Sequence, residues 1–415
     1  MNKYRDIVGR INWGLFLVAV AALPFPQVFI RYALVVWLVA WVLELRFLQP
    51  LNVKRSTLIV PFCLFALWYA WRALSGLWAP DHRAWSFMME RYMTFALILP
   101  VGIWGVNEHY NWRTAAKVLA ISSAASVVIY AIFLTILYHN PQYVQHFHYD
   151  AWHTDYNNWY ECFTYNSSCL KHRLFWCTTL LIASITCFQA WQKPYITIPL
   201  AIVMLASIPL SGSRQMIFSL AAVIIIALVY FIHQASYIKH KHLVSILAIF
   251  AILAIGTIAF MNHPRMKELL AGEMTTERLT GPEPRVGIWQ LALSSPQDYF
   301  WTGVGGGQSV NYLEKKYDEH HMALFKERHY HAHNQYLEEL MELGIFGLLL
   351  FIMAWIAIPI CAQGIGRRTA IYFVTICALN MLTDCMWGKF DGIALWAITM
   401  IFILMQSKST KIERK

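Results

Sequence analysis

The stretch SGSRQMIFSLAAVIIIALVYF, residues 211–231, is a short polar motif followed by an apolar run that carries no charge after Arg214. A helix needs about 20 predominantly apolar residues to cross the hydrocarbon core of a bilayer. Runs of the same kind recur along the chain, and the cleanest of them, 243–261, contains no charged residue at all. The stretch therefore predicts a transmembrane helix that begins with a polar, cationic motif.

The composition of the whole chain agrees with this interpretation. The 415 residues are 58% hydrophobic and only 13% charged, whereas soluble globular proteins usually carry about 25% charged residues. We therefore expect one all-α polytopic membrane domain over residues 1–415, with about 12 transmembrane helices, and exclude an ordinary soluble fold. The expected spans are 13–29, 32–47, 58–77, 92–106, 115–138, 174–191, 195–210, 216–232, 243–261, 345–361, 370–386 and 393–405.

The distribution of lysine and arginine predicts the orientation of these spans. Short cytoplasmic loops are enriched in both residues. One set of loops holds Lys3, Arg5, Arg10, Arg46, Lys54, Arg55, Arg113, Lys117, Lys193, Lys239, Lys241, Arg367, Arg368 and the tail from Lys408. We therefore place both termini in the cytoplasm. The net charge of +10 follows from this asymmetry, with anionic lipid as the partner, and needs no nucleic acid to explain it.

Two long loops then fall on the opposite, outer side of the membrane. They are 139–173 and 262–340, and the second is too long to be a structureless connection. Helices are expected within it at 264–274, 284–294 and 312–325. Gly305 to Gly307 separate the last two, and glycine permits a sharp turn or a close backbone approach there. We interpret this segment as a tight loop packed against the membrane face, with phosphate binding as the minor alternative.

Arg214 stands where an apolar span begins, directly after Ser211 and Ser213. An arginine in that place either snorkels to lipid headgroups or binds an anion. The two serines favour an anion site, because hydroxyls and free backbone N–H groups at a helix start bind anions. The planar guanidinium also suits a diphosphate, since it can bind two oxygens at once.

Two further candidates lie in the larger loop. Arg285 stands at the expected start of a helix, where a cation is unfavourable for the helix dipole. A bound anion would compensate, and so would pairing with Glu277 or Glu283. His333 precedes Asn334, which is a good N-cap for the next helix. A neutral imidazole at that membrane surface can take a proton from a hydroxyl, although an ordinary interface histidine is the alternative.

The smaller outer loop gives weaker signals. Cys162 and Cys169 could form a disulfide in an oxidising compartment, and two unpaired cysteines are the equal alternative. The spacing of His146, His148 and His153 does not match a zinc site. No metal and no other cofactor are expected.

Three motifs, in order along the chain, resemble the O-antigen ligase and polymerase family. SGSRQMIFSLAAVIIIALVYF is similar to the family's Ser-Gly-Ser-Arg leading into a span. RVGIWQLALSSPQDYFWTGVGGG resembles its intervening segment, and HNQYLEELMELGIFGLLLFI resembles the His-Asn motif that ends a large periplasmic loop. The resemblance covers 210–351 and is weak over the first 200 residues.

The resemblance implies a metal-independent, inverting glycosyltransferase of the bacterial inner membrane. Such a protein takes a glycan from undecaprenyl diphosphate on the periplasmic side and places it on a sugar hydroxyl of lipid A–core. Carried over by motif, Arg214 and Arg285 would bind the diphosphate and His333 would activate the acceptor. Ser211, Ser213 and Asn334 would contribute to substrate binding, and Lys389 and Asp391 of the last outer loop could assist them.

Other functions remain open from the sequence. An O-antigen polymerase or a protein O-oligosaccharyltransferase would use the same motifs with another acceptor. A transporter or flippase for a lipid-linked anionic substrate belongs to a different class. Such proteins usually carry mid-membrane charges or broken helices, whereas 216–232, 243–261 and 345–361 are unbroken and uncharged at their centres.

Overall fold

The computed structural model describes residues 2–48, 58–140, 159, 162–163, 170–191, 193–234, 240–241, 243–246, 249 and 283–413. Within these ranges the chain is mostly helical and contains no strand. The principal helices are α1 (Asn2–Ala22), α2 (Gln27–Leu43), α3 (Ile59–Leu74), α4 (His82–Trp104), α5 (Trp112–His139), α6 (Arg173–Ala190), α7 (Pro194–Leu210), α8 (Arg214–Gln234), α9 (Glu283–Leu293), α10 (Ser309–Glu319), α11 (Ala323–Glu327), α12 (Gln335–Cys361), α13 (Gly364–Met381) and α14 (Phe390–Glu413).

Seven helical segments among the described residues are long and apolar enough to cross a membrane. They are Gln27–Leu48, Ile59–Leu77, Trp112–His139, Arg173–Ala190, Arg214–Gln234, Gln335–Cys361 and Phe390–Lys408, and Pro194–Leu210 is a shorter apolar helix. The prediction of an all-α polytopic membrane protein is confirmed. The count of about 12 stays a prediction, and the expected span at 243–261 lies largely outside the described residues.

Several predicted boundaries move, each for a local reason. The first expected span, 13–29, crosses the turn at 23–26, because Pro24 and Pro26 separate α1 from α2. The fourth helix begins at His82 rather than 92, since the Asp81 side chain accepts hydrogen bonds from two backbone N–H groups and caps it. The eleventh expected span, 370–386, ends early, because α13 stops at Met381.

Aromatic residues fill the centre of the helical bundle around α14, the most deeply buried of the candidate spans. The ring of Trp387 lies 4.9 Å from that of Phe95, 5.2 Å from that of Trp68 and 5.4 Å from that of Phe65. Aromatic pairs at such distances stabilise a core beyond the area that they bury. Since Trp387 stands just before α14, the cluster fixes the segment that joins α13 to α14.

A second, smaller core holds the described part of the large loop together. It contains Ile288, Ala292, Tyr299, Leu313, Tyr317, Phe325, Ala332, Leu337 and Met341. The helix expected at 284–294 is α9, and the helix expected at 312–325 is divided between α10 and α11. The expected helix at 264–274 lies outside the described residues, as does most of the smaller loop, including Cys169.

The glycine-rich loop packs against a kink in α12. The kink is at Gly344, which has a φ of +66° and separates a short first part of the helix from the long second part. Backbone N–H groups of Val304 and Gly305 donate to the carbonyls of Met341 and Glu342 at 2.8 and 3.0 Å, and that of Gly306 donates to the Ser75 hydroxyl at 2.8 Å. Protein acceptors therefore occupy the backbone amides of Val304, Gly305 and Gly306, which leaves these three unavailable to a phosphate.

A buried ion network joins the same kink to the end of α3. Arg72 donates to Glu342 and, at 2.9 Å, to Glu339, and all three side chains are almost fully buried. Ser309 donates to Glu342 at 3.0 Å, and Gln335 donates to Glu339 at 2.9 Å. The acidic residues of the His-Asn motif thus hold the first part of α12 in place.

Candidate active site

The loop before α12 presents His333 at the start of that helix. The Asn334 side chain accepts a 3.1 Å hydrogen bond from the backbone N–H of Leu337, so the predicted N-cap is confirmed. His333 has a φ of +47°, in a region that costs a non-glycine residue about 1–3 kcal/mol. Trp289 of α9 ties down the loop by donating to the Ala332 carbonyl at 2.8 Å. The surrounding structure therefore holds His333 in a backbone conformation that a histidine rarely adopts.

Asp384, in the segment between α13 and α14, lies beside this imidazole. Its Oδ1 is 3.9 Å from Nδ1 of His333. Burial alone would raise the pKa of Asp384, but the interaction with His333 and the charge of Lys389 hold that pKa well below its usual range. The ionised carboxylate can orient the imidazole through Nδ1 and leave Nε2 for a reacting hydroxyl.

Sequence reasoning missed Asp384. The expected span 370–386 placed it inside the membrane, whereas the helix ends at Met381 and the carboxylate lies in the connection that follows. The available signal was the carboxylate itself, because an acidic residue near a span end needs a partner or a function.

Two more imidazoles belong to the site. The rings of His331 and His333 are 3.9 Å apart between centroids, and Nδ1 of His331 accepts the backbone N–H of His333 at 3.1 Å. Burial, and then the neighbouring His333, lowers the pKa of His331 to about 3. Burial, and then the charge of Lys389, lowers the pKa of His172 to about 4. Both rings are therefore neutral near pH 7.

Two cations approach the same cluster. Nζ of Lys389 is 3.1 Å from Nε2 of His172, which must act as the acceptor because the ammonium group only donates. Arg285 is partly buried on α9, and its charge contributes to the lowered pKa of His331. The structure thus brings together Arg285, His333 and Lys389, three of the residues named from the sequence.

Asp391 has a different environment. Its Oδ1 accepts a 2.9 Å hydrogen bond from Lys171, and both side chains are buried. Lys171 also donates to the carbonyls of Leu23 and Phe25, at 2.7 and 3.2 Å. Asp391 therefore joins the start of α14 to the α1–α2 turn, and its charge is balanced within the protein.

The SGSR motif forms the turn between α7 and α8. The fully buried Ser211 hydroxyl donates to the Ile208 carbonyl at 2.7 Å and accepts the backbone N–H of Ser213 at 3.3 Å. Ser211 thus shapes the turn, and Ser213 is also buried. Arg214 is partly buried and begins α8.

Asn380 connects this turn to the Asp384 segment. It lies one turn before Asp384, at the end of α13, and is fully buried. Its carbonyl accepts a hydrogen bond from Gln215, and its Oδ1 accepts one of 3.1 Å from Ser219. The first turn of α8, which carries Arg214, is therefore anchored to the end of the helix that leads into the Asp384 segment.

Two triplets in the cluster have donor atoms close enough for a metal ion. They are His331, His333 and Asp384, and His331, Glu338 and Cys385, each with donor atoms within 4.8 Å of one another. In both, a metal at Nδ1 of His331 would replace the hydrogen bond from the His333 backbone. The expectation of a metal-independent site stays a prediction.

Comparison with protein families now gives the fold and site a context. Residues 199–352 match the family described as O-antigen ligase. Over this segment the chain is similar to an O-antigen ligase domain. The segment contains α8, α9 and the first part of α12, and so carries Arg214, Arg285 and His333. The family resemblance read from the sequence is confirmed, and it supports an enzymatic role in O-antigen ligation or polymerisation.

The matched segment does not include the whole cluster. Asp384 and Lys389 follow it in the chain, and His172 precedes it, so these three reach His333 only through the packing of the bundle. The comparison with curated proteins found no match to this chain.

Proposed function

We propose that this protein is an O-antigen ligase, which transfers a glycan from undecaprenyl diphosphate to a sugar hydroxyl of lipid A–core at the periplasmic face of the bacterial inner membrane. The observation that carries the proposal is the approach of His333 to the ionised Asp384, beside Arg285 and Lys389. A base next to cations suits a reaction in which a hydroxyl loses a proton while a diphosphate leaves.

In the proposed reaction the acceptor hydroxyl gives its proton to Nε2 of His333. Its oxygen then attacks the anomeric carbon of the donor from the side opposite the leaving group, which inverts the configuration. The bond between that carbon and the diphosphate oxygen breaks, and the diphosphate leaves with the electron pair. Arg214 and Arg285 stabilise the negative charge that develops, because preorganised cations need no rearrangement as it forms. Asp384 stabilises the imidazolium.

The test uses a Gram-negative strain that lacks its ligase but makes lipid A–core and the undecaprenyl-linked glycan. Expression of the parent protein should restore a ladder of glycan-bearing lipopolysaccharide on a gel. His333→Ala, Arg214→Ala and Arg285→Ala should each abolish the ladder at equal expression. His320→Ala, at an exposed histidine of the same loop, is the matched control and should keep it.

Other outcomes identify the alternatives. Longer lipid-linked glycans without a ladder on lipid A–core would indicate a polymerase. Glycosylated periplasmic proteins would indicate a protein oligosaccharyltransferase. Movement of the donor between leaflets without transfer would indicate a flippase, and any of these three results would overturn the ligase proposal.

A further inference from the structure

An apolar groove of about 590 Å³ lies between α1 and α2. It is lined by Leu15, Val18, Ala21, Ala22, Phe25, Phe29, Tyr32, Ala33 and Val36. The side chains of Val18, Phe29, Tyr32 and Val36 are exposed, whereas the three alanines are partly buried. Because α2 belongs to a candidate membrane span, such a groove faces hydrocarbon and can hold an apolar chain.

One end of this groove is joined to the candidate active site. Phe25 lines the groove, and its carbonyl accepts a hydrogen bond from Lys171, which also binds Asp391. Lys171 directly precedes His172, and Asp391 stands two positions after Lys389. The same short segments therefore border both the end of the groove and the imidazole cluster.

Two cations lie near this end, whereas none of the residues that line the groove is charged. Arg31 of α2 is exposed, and its guanidinium lies 5.5 Å from the ring centroid of Phe390. Lys389 is the residue before that phenylalanine. An apolar groove with a cationic end complements a molecule with an apolar chain and an anionic head.

We propose that the groove binds the part of the undecaprenyl chain nearest the diphosphate of the lipid-linked donor, with Arg31 and Lys389 next to the anionic head. This inference rests on the proposed function and names the part of the protein that holds the donor's lipid. Two packed helices lie about 8–10 Å apart, so their groove takes one chain, whereas lipid A brings several. Membrane lipid is as apolar as the groove, so the groove contributes only a modest affinity for the donor chain.

The test fills the groove and varies the length of the donor chain. The groove variants are Ala21→Phe and Val36→Trp. The matched control is Val128→Trp, at an exposed position of α5 that does not line the groove. Each purified protein is assayed with the glycan on undecaprenyl diphosphate and with the same glycan on a two-isoprene diphosphate. The groove variants should raise KM about tenfold for the long donor and leave kcat and the short donor unchanged.

Several results would overturn the inference. The long-donor KM could stay at the parent value, both donors could be affected equally, or the KM for the acceptor alone could rise, which would assign the groove to an acceptor chain. A control variant that behaves like the groove variants would also refute it. All of these results leave the proposed ligase function standing, because the parent remains active.

A second measurement does not depend on turnover. A prenyl diphosphate with a photoreactive group on its first isoprene unit is crosslinked to the parent protein in vesicles, and the labelled peptide is identified. If residues 15–36 of the parent are labelled and this labelling decreases in the Ala21→Phe variant, the groove is supported even if the ligase assay fails. Labelling elsewhere, or labelling that excess phospholipid removes, would show that bulk lipid fills the groove and would overturn the inference.

Discussion

At the scale of single residues, two aspartates near the start of α14 have different partners. Asp384 faces His333, a side chain with about a quarter of its surface exposed, whereas Asp391 pairs with the buried Lys171. A carboxylate that orients a base contributes to catalysis, and one that neutralises a buried lysine contributes to stability. The part of Asp391 in substrate binding stays a prediction, and Asp384 was not predicted from the sequence.

Asp384→Asn should therefore lower transfer by at least about 10²-fold, because the amide cannot stabilise an imidazolium. Asp391→Asn should leave transfer nearly unchanged and lower the free energy of unfolding by about 3–5 kcal/mol, since Lys171 is left buried without its partner. Turnover and thermal unfolding in detergent are measured for both variants. Equal activity of Asp384→Asn and the parent would exclude the carboxylate from the mechanism.

The partly buried imidazoles of His331 and His172 make stability depend on pH. The pKa values of His331 and His172 are lowered to about 3 and about 4, compared with about 6.5 in an unfolded chain. Below pH 6.5 the unfolded state binds protons that the folded state does not. The free energy of unfolding therefore decreases as the pH is lowered. Asp384 has a depressed pKa, so its contribution to the free energy of unfolding is lost only below about pH 4. That contribution is therefore constant between pH 5 and pH 7.5.

We expect each of these two histidines to lower the free energy of unfolding at pH 5 by at most about 2 kcal/mol relative to pH 7.5. His331→Asn keeps an acceptor for the His333 backbone and should reduce the drop in melting temperature between the two pH values. His320→Asn, at an exposed histidine, should not change it. An unchanged drop in His331→Asn would show that this ring does not resist protonation.

At the scale of elements, the kink in α12 positions the site. A Cβ on Gly344 would lie 2.2 Å from the Trp301 carbonyl oxygen, and one on Gly303 would lie 2.1 Å from that of Glu342. The two segments thus approach each other through glycines at positive φ. The contact lets the N–H of Ile345 donate to the Phe300 carbonyl at 2.7 Å. The first part of α12, which follows His333, is therefore held by the loop that precedes it.

Gly344→Ala should separate these segments and lower both stability and transfer, with a loss of about 1–3 kcal/mol from the backbone conformation alone. Gly14→Ala is the matched control, because a Cβ at that helical position meets no atom within 4 Å. It should be neutral or stabilising by up to about 1 kcal/mol. Thermal unfolding of the two variants distinguishes the positions, and a Gly344→Ala protein with parental stability would contradict the close approach.

At the scale of the whole molecule, the network around Arg72 joins parts that are far apart in the chain. Its guanidinium binds Glu339 and Glu342 of α12 and packs 4.8 Å from the ring centroid of Tyr92 in α4. Gln335 extends the network, because its Oε1 accepts the backbone N–H of Trp387 at 2.9 Å. The bundle, the glycine-rich loop and the Asp384 segment are thus connected through one set of buried polar groups.

Arg72→Met should destabilise the protein by about 3–5 kcal/mol, since two buried carboxylates lose their cation. The triple variant Arg72→Met, Glu339→Gln, Glu342→Gln removes the unpaired charges and should recover part of that loss. Yield and melting temperature of the three proteins in detergent test this. If the triple variant were as unstable as the single one, packing rather than charge would be responsible.

Local sequence patterns were enough to predict the class of the fold and to name several residues of the candidate site. Uncharged apolar runs predicted membrane helices because a bilayer accepts little else, and the Asn334 cap followed from local hydrogen bonding between neighbours in the chain. The motifs around Arg214, Arg285 and His333 were likewise visible as local patterns.

The contacts between side chains of different helices could not be predicted from the sequence. Asp384 lies beside His333, and Lys171 pairs with Asp391. Arg72 likewise pairs with Glu339, because separate helices pack side by side. The glycine-rich loop was expected as a tight loop, but its partners at the kink of α12 came only from the packing. A periodic pattern gives the face and the end of a helix on which a residue lies. The partner across the interface depends on how helices distant in the chain pack together. The spacing of residues within one helix does not encode that packing.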